Sequence, residues 1–192
     1  SSYLSFLSHD QLPATYRGGS ESVKGLLSLL SDFGGNELKN VESCVRKCRS
    51  VVSEIYSPPR VTHAAELLPQ LDLDPGVALD LTTCAEEGRP WDFSKAYMRK
   101  KAWDLLMDQK PILLIGSPPC TLFSVWQRLN KHRSKWAYRR RLRDARVHLN
   151  FVCELYMAQL QQGRLFLHEH PAGASSWQER LVRQVMRQEG VQ

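Results

Sequence analysis

From residue 51 onward the chain predicts an α/β domain, a Rossmann-like, mostly parallel sheet with flanking helices, preceded by a helical N-terminal segment. Two observations carry this. Short apolar runs alternate with helical patterns along the chain, and the runs are closed by Pro, Gly or Asp. Strand, helix, strand, helix at this spacing is the pattern of a parallel sheet, because each parallel crossover needs a helix's worth of chain. A length of 192 residues gives one domain with a sizeable core.

Residues 1–50 read as a helical lead-in or the tail of an upstream region. Val23, Leu26, Leu27, Leu29 and Leu30 fall at helical spacing, Gly34-Gly35-Asn36 breaks the pattern, and Asn36 can cap a second helix to about residue 50. The first residue is Ser rather than Met, which suits a piece of a longer polypeptide. Residues 51–192 form the expected α/β domain. Its strands are predicted at 51–56, 77–81, 111–115 and 165–168. Helices are predicted at about 62–71, 94–109, 134–161 and 176–188, with Ser175 or Ser176 capping the last.

Composition excludes some function classes. There is no run of 18 apolar residues and no charged-then-apolar leader, so no membrane association is expected. Five cysteines, at 44, 48, 84, 120 and 153, show no disulfide framework and predict a reducing, intracellular setting, the nucleus included. Cys44 and Cys48 lie in a helical pattern with no second ligand pair, so no metal site is expected there. Charge is uneven. Residues 131–146 hold eight Lys or Arg and one Asp, a local +7; subtracting that from the chain's +6 leaves −1 elsewhere. A basic block containing Trp136 and Tyr138 suits phosphate contacts and base stacking, and equally suits a solvated helix face. Arg128, Lys135, Arg139, Arg140, Arg141 and Arg143 are the candidate nucleic-acid contacts.

In a parallel sheet, ligands gather at the carboxyl ends of the strands. Those ends carry Ser57-Pro58-Pro59-Arg60, Asp80, Gly116-Ser117-Pro118-Pro119-Cys120 and His168-Glu169-His170-Pro171. Asp80 can accept from ribose hydroxyls or serve as a turn residue. Asp92 lies in the following loop, where Trp91 and Phe93 either frame a flat ring or anchor the loop. Two prolines make a rigid turn that presents Cys120, as a nucleophile or as a packing group. His168 and His170 share one side of a strand and Glu169 takes the other. A third metal ligand is not evident, and the favoured pairing sets a buried-edge Glu169 across the crevice from Cys120.

The fragment Gly116-Ser117-Pro118-Pro119-Cys120-Thr121-Leu122-Phe123-Ser124 resembles the nucleophile motif of cytosine-5 DNA methyltransferases, a Pro-Pro-Cys turn followed by a Phe-Ser pair. Glu54-Ile55-Tyr56-Ser57 resembles that family's opening strand, Asp80 and Asp92 its ribose and adenine contacts, and Glu169 the glutamate of its Glu-Asn-Val motif. Tyr-Ser-Pro-Pro-Arg-Val-Thr, Arg-Pro-Trp-Asp-Phe and His-Glu-His-Pro look most like the divergent versions found in retroelement polyproteins. The likeness covers about residues 51–177.

It implies a methyl transfer from S-adenosylmethionine to a flipped-out cytosine in DNA, with Cys120 as nucleophile and Glu169 holding the base. It also implies cofactor contacts at Tyr56, Ser57, Asp80, Asp92, Phe93 and Pro118. The sequence departs from the family where Pro58, Pro59 and Arg60 fill a loop that is otherwise glycine-rich, where only 11 residues separate Asp80 from Asp92, and where His170-Pro171 replaces Asn-Val. The filled loop implies weak or no cofactor binding, and the roughly twenty residues after the last motif imply an inactive or incomplete domain. The alternative expectations are an amino-methyltransferase, a class whose Ser-Pro-Pro turn is followed by a stacking aromatic residue where this chain has Cys120, and a non-catalytic nucleic-acid-binding module of a mobile-element polyprotein.

Overall fold

The computed structural model describes residues 51–68, 70, 73–85, 88–124, 127 and 135–192. The two helices expected within residues 20–50, and with them Cys44 and Cys48, lie outside the described residues. The elements run β1 (Val51–Ile55), α1 (Val61–Leu67), β2 (Asp74–Leu79), α2 (Ala96–Gln109), β3 (Leu113–Gly116), α3 (Lys135–Gln161), β4 (Leu165–His168) and α4 (Arg180–Met186). Two 3-10 turns, Thr121–Phe123 and Ser175–Gln178, follow β3 and β4. The strands form one all-parallel sheet in the order β2-β1-β3-β4, as the alternating pattern predicts.

Side-chain alternation splits the sheet into two faces. Ile55, Leu79 and Leu114 join the large core under α2, α3 and α4. Val52, Leu113 and Ile115 form a smaller cluster on the other face with Val61 of α1 and Leu165 and Leu167 of β4. Central β1 is buried along its whole length, as a strand covered on both faces must be. Met98, Ala102 and Leu106 recur every fourth residue and face the core from α2. The second half of α3 is buried through Leu149, Val152, Cys153 and Tyr156. Fully buried Gln159 closes the amino edge: its amide donates to the carbonyls of Pro111 at 3.0 Å and Leu165 at 2.9 Å.

Several strand limits differ from the sequence pattern by one to three residues, and two of them bear on packing. β2 begins at Asp74, through an Asp-Pro-Gly that reads as a turn; it is an edge strand, where Pro is tolerated. Gly76 is needed there because a Cβ would collide with Ser53 Oγ and the Val52 carbonyl. β3 ends at Gly116, which pairs with Ile55 and His168. A Cβ at Gly116 would meet Tyr156 Oη and Val152, so glycine lets α3 cross close to the end of β3. No described helix is long and apolar enough to cross a membrane.

Candidate functional site

The strand order creates a topological switch. The chain leaves β1 toward β2 on one side and returns to β3 on the other, so the loops after β1 and β3 depart in opposite directions at the carboxyl edge, where parallel sheets gather ligands. Ser117 N–H still donates to the Ile55 carbonyl at 3.1 Å, which holds the two loops side by side.

The loop after β1 is organised by Glu54. This carboxylate is 1 % exposed and sits in an otherwise apolar run, where burial demands donors. It accepts from the backbone N–H groups of Arg60 and Thr62, both at 2.9 Å, from Thr62 Oγ1 at 2.7 Å and from Ser57 Oγ at 3.0 Å. Sequence reasoning placed Glu54 in the opening strand without seeing this role; a lone acid inside Val-Val-Ser-Glu-Ile-Tyr was the available signal. Tyr56 follows with φ 60° and is buried. Its hydroxyl pairs with His148 Nδ1 at 3.1 Å, and burial pushes its ionisation above the ordinary tyrosine range. Ser57 and Tyr56, both expected at a cofactor, therefore make their contacts inside the protein.

Asp80 and Asp92 lie at the end of β2 and in the loop beyond it. Asp80 accepts from Thr82 N–H at 3.1 Å and from the Thr82 hydroxyl, a turn built on its own side chain. Asp92 accepts from Ser94 N–H at 3.0 Å, and the Ser94 hydroxyl bonded to it holds its carboxyl below the usual range. On either side of Asp92 in the chain, Trp91 stacks on Phe93 at 5.6 Å, and Phe93, wholly buried, packs edge-on to Tyr56 at 4.7 Å. The two rings anchor this loop in the core, so neither has an open face for a flat ligand.

Cys120 is partly buried and starts the 3-10 turn Thr121–Phe123, whose Phe123 N–H donates to the Cys120 carbonyl at 2.9 Å. Glu169 is exposed rather than set at a buried edge, and its N–H donates to the Gly116 carbonyl at 2.9 Å. Cys120 and Glu169 thus follow neighbouring strands at one edge of the sheet. By contrast, burial pushes the Cys153 thiol up to about 12, which leaves it unreactive beside a groove of about 440 Å³ between α2, α3 and α4.

His168 and His170 share a side of the chain as the strand period predicts, with ring centroids 4.7 Å apart. His168 Nδ1 pairs with Tyr156 Oη at 3.0 Å, and its Nε2 is buried with no hydrogen-bond partner among the described residues. The tautomer that donates from Nδ1 leaves only an acceptor unmet, which is the cheaper arrangement. Burial, with His170 nearby, pushes its pKa down to about 3. Among the described residues no group of three His, Cys, Asp or Glu could hold a metal ion.

Residues 135–146 of the basic run form the first half of α3, and residues 131–134 lie outside the described residues. Tyr156 lies near the end of β3 and His148 beside Tyr56, so α3 runs against the strands and reaches the carboxyl edge by about residue 148. At 1.5 Å per residue, Trp136 stands about 18 Å beyond His148. Arg139, Arg140, Arg141 and Arg143 are exposed, and Arg140 lies 5.8 Å from the ring centroid of the exposed Trp136. Arg146 is engaged instead, in a two-point pair with Glu179 at 2.8 and 2.9 Å. Lys135 opens the helix, and Arg128 lies outside the described residues. No protein-family model, no curated protein and no solved structure matches this chain.

Proposed function

We propose that this chain is a methyltransferase-like domain of the cytosine-5 kind that grips nucleic acid with the overhang of α3 and meets a pyrimidine with Cys120 and Glu169. The observation that carries the reading is the switch between β1 and β3, which sets the Pro-Pro-Cys turn and Glu169 on the edge toward which the basic half of α3 extends. S-adenosylmethionine, when bound, would supply an electrophilic methyl group. The residues present fit it at neither end: Asp80 and Asp92 already accept from Thr82 and Ser94, and Trp91 and Phe93 have no open face for its adenine. The N–H donors of Arg60 and Thr62 that would hold a ligand carboxylate are taken by Glu54.

The step that this chain's own residues can perform is reversible addition. The Cys120 thiolate adds to C6 of an extruded cytosine, the C5–C6 π pair shifts to C4–C5 as the C4–N3 pair moves onto N3, and C5 then takes a proton from water, leaving the hydroxide that removes a C5 hydrogen on reversal. Reversal returns one of the two C5 hydrogens to solvent and expels the thiolate. Glu169 holds N3 and the exocyclic amine while the charge moves. Calorimetry with S-adenosylmethionine tests the closed cofactor loop: no binding heat is expected up to ~1 mM cofactor. Micromolar binding would show that the loop opens, and would favour a complete methyltransferase.

A further inference from the structure

Resting on the reading of Cys120 as nucleophile, we propose that His170 is a positioning residue that locks the Pro-Pro-Cys turn through the Pro118 carbonyl. His170 Nε2–H donates to that carbonyl at 2.8 Å, and Nδ1 accepts from Ser176 Oγ at 2.7 Å. Together these bonds select one neutral tautomer, a donor at Nε2 and an acceptor at Nδ1. Pro118 and Pro119 have no N–H, so a carbonyl is the handle by which this turn can be held.

The segment after β4 grips the turn at two points. His170 holds Pro118, before the cysteine, and Ser175 Oγ donates to the Phe123 carbonyl at 3.1 Å, after it. The grip is itself rigid, since Ser176 is wholly buried and Ala174 N–H donates to the Pro171 carbonyl at 2.9 Å. Around the imidazole stand the rings of His168, Phe123 and Trp177, with Glu169 adjacent in the chain. Burial keeps His170 below the ordinary histidine range, so the donor–acceptor pattern persists at neutral pH.

The test uses three variants of the whole chain and two readouts. His170→Leu keeps bulk without a donor, His170→Gln places an amide donor at the reach of Nε2, and His170→Asn reaches only as far as Nδ1. One readout is the rate at which iodoacetamide alkylates Cys120, followed on its own peptide by mass spectrometry. The other is exchange of the C5 hydrogen of cytosine in DNA. His170→Leu and His170→Asn should raise alkylation about 10-fold as the turn loosens, and lower exchange about 100-fold as the sulfur loses its aim. His170→Gln should restore both to within about threefold of the original chain. Wild-type rates in His170→Leu, or in His170→Asn should the leucine variant not fold, would overturn the proposal, as would a glutamine variant as impaired as leucine. Absence of exchange in the original chain, with glutamine still rescuing alkylation, would sink the nucleophile reading alone and uphold the brace.

Discussion

His168 shows how one buried side chain sets a pH limit on the fold. It is neutral in the folded protein, with its pKa held down to about 3 by burial. In the unfolded chain it titrates near 6.5. Between those values the unfolded state binds a proton that the folded state does not, so stability rises with pH across this window. The contribution is complete above about pH 7, falls by up to about 1.4 kcal/mol per unit as pH drops from 6.5 toward 3, and is flat below. His170, lowered by burial as well, acts in the same sense. Urea unfolding at pH 7.5 and pH 5 should show the loss, and His168→Phe should reduce it. An equal loss in that variant would assign the acid sensitivity to other groups. The side of the chain shared by the two histidines was legible from the period of two. The tyrosine beneath them was not, because Tyr156 comes from a helix whose register against β3 is set by packing at Gly116.

At the scale of elements, α3 divides its work. Its second half is a core helix carrying Leu149, Val152 and Tyr156; its first half presents Arg139, Arg140, Arg141 and Arg143 to solvent. If those four arginines contact phosphates, each releases a counterion on binding. Replacing all four by Ala should weaken DNA binding for every sequence and reduce the slope of log affinity against log salt by about 3–4. A fluorescence anisotropy series across salt concentrations measures it, and an unchanged slope would make this face a solvated surface. The charge run was plain in the sequence, but its division of labour was not: only the fold shows that Arg146 pairs with Glu179. The strands were equally plain where they are central and apolar. β2 was misjudged at its start because Asp74-Pro75-Gly76 has turn chemistry, and its edge position is a property of the assembled sheet.

For the molecule as a whole, the parallel order places three carboxyl-end features together: a closed loop after β1, a thiol turn after β3 and a carboxylate after β4. The sequence made the last two visible as Pro-Pro-Cys and His-Glu-His-Pro. It could not show that Glu54 saturates the first, since that depends on a side chain meeting the backbone of the following helix. The proposed function requires this fold to handle a base without first taking a cofactor, and the direct measurement is exchange of C5 deuterium for solvent hydrogen in cytosine-containing DNA, followed by mass spectrometry with no S-adenosylmethionine present. The account predicts exchange by the original chain, its loss in Cys120→Ala, and a rate lowered at least about 100-fold in Glu169→Gln, whose amide cannot hold the base as the carboxyl does. DNA that is bound yet keeps its deuterium, or exchange that persists in Cys120→Ala, would contradict it.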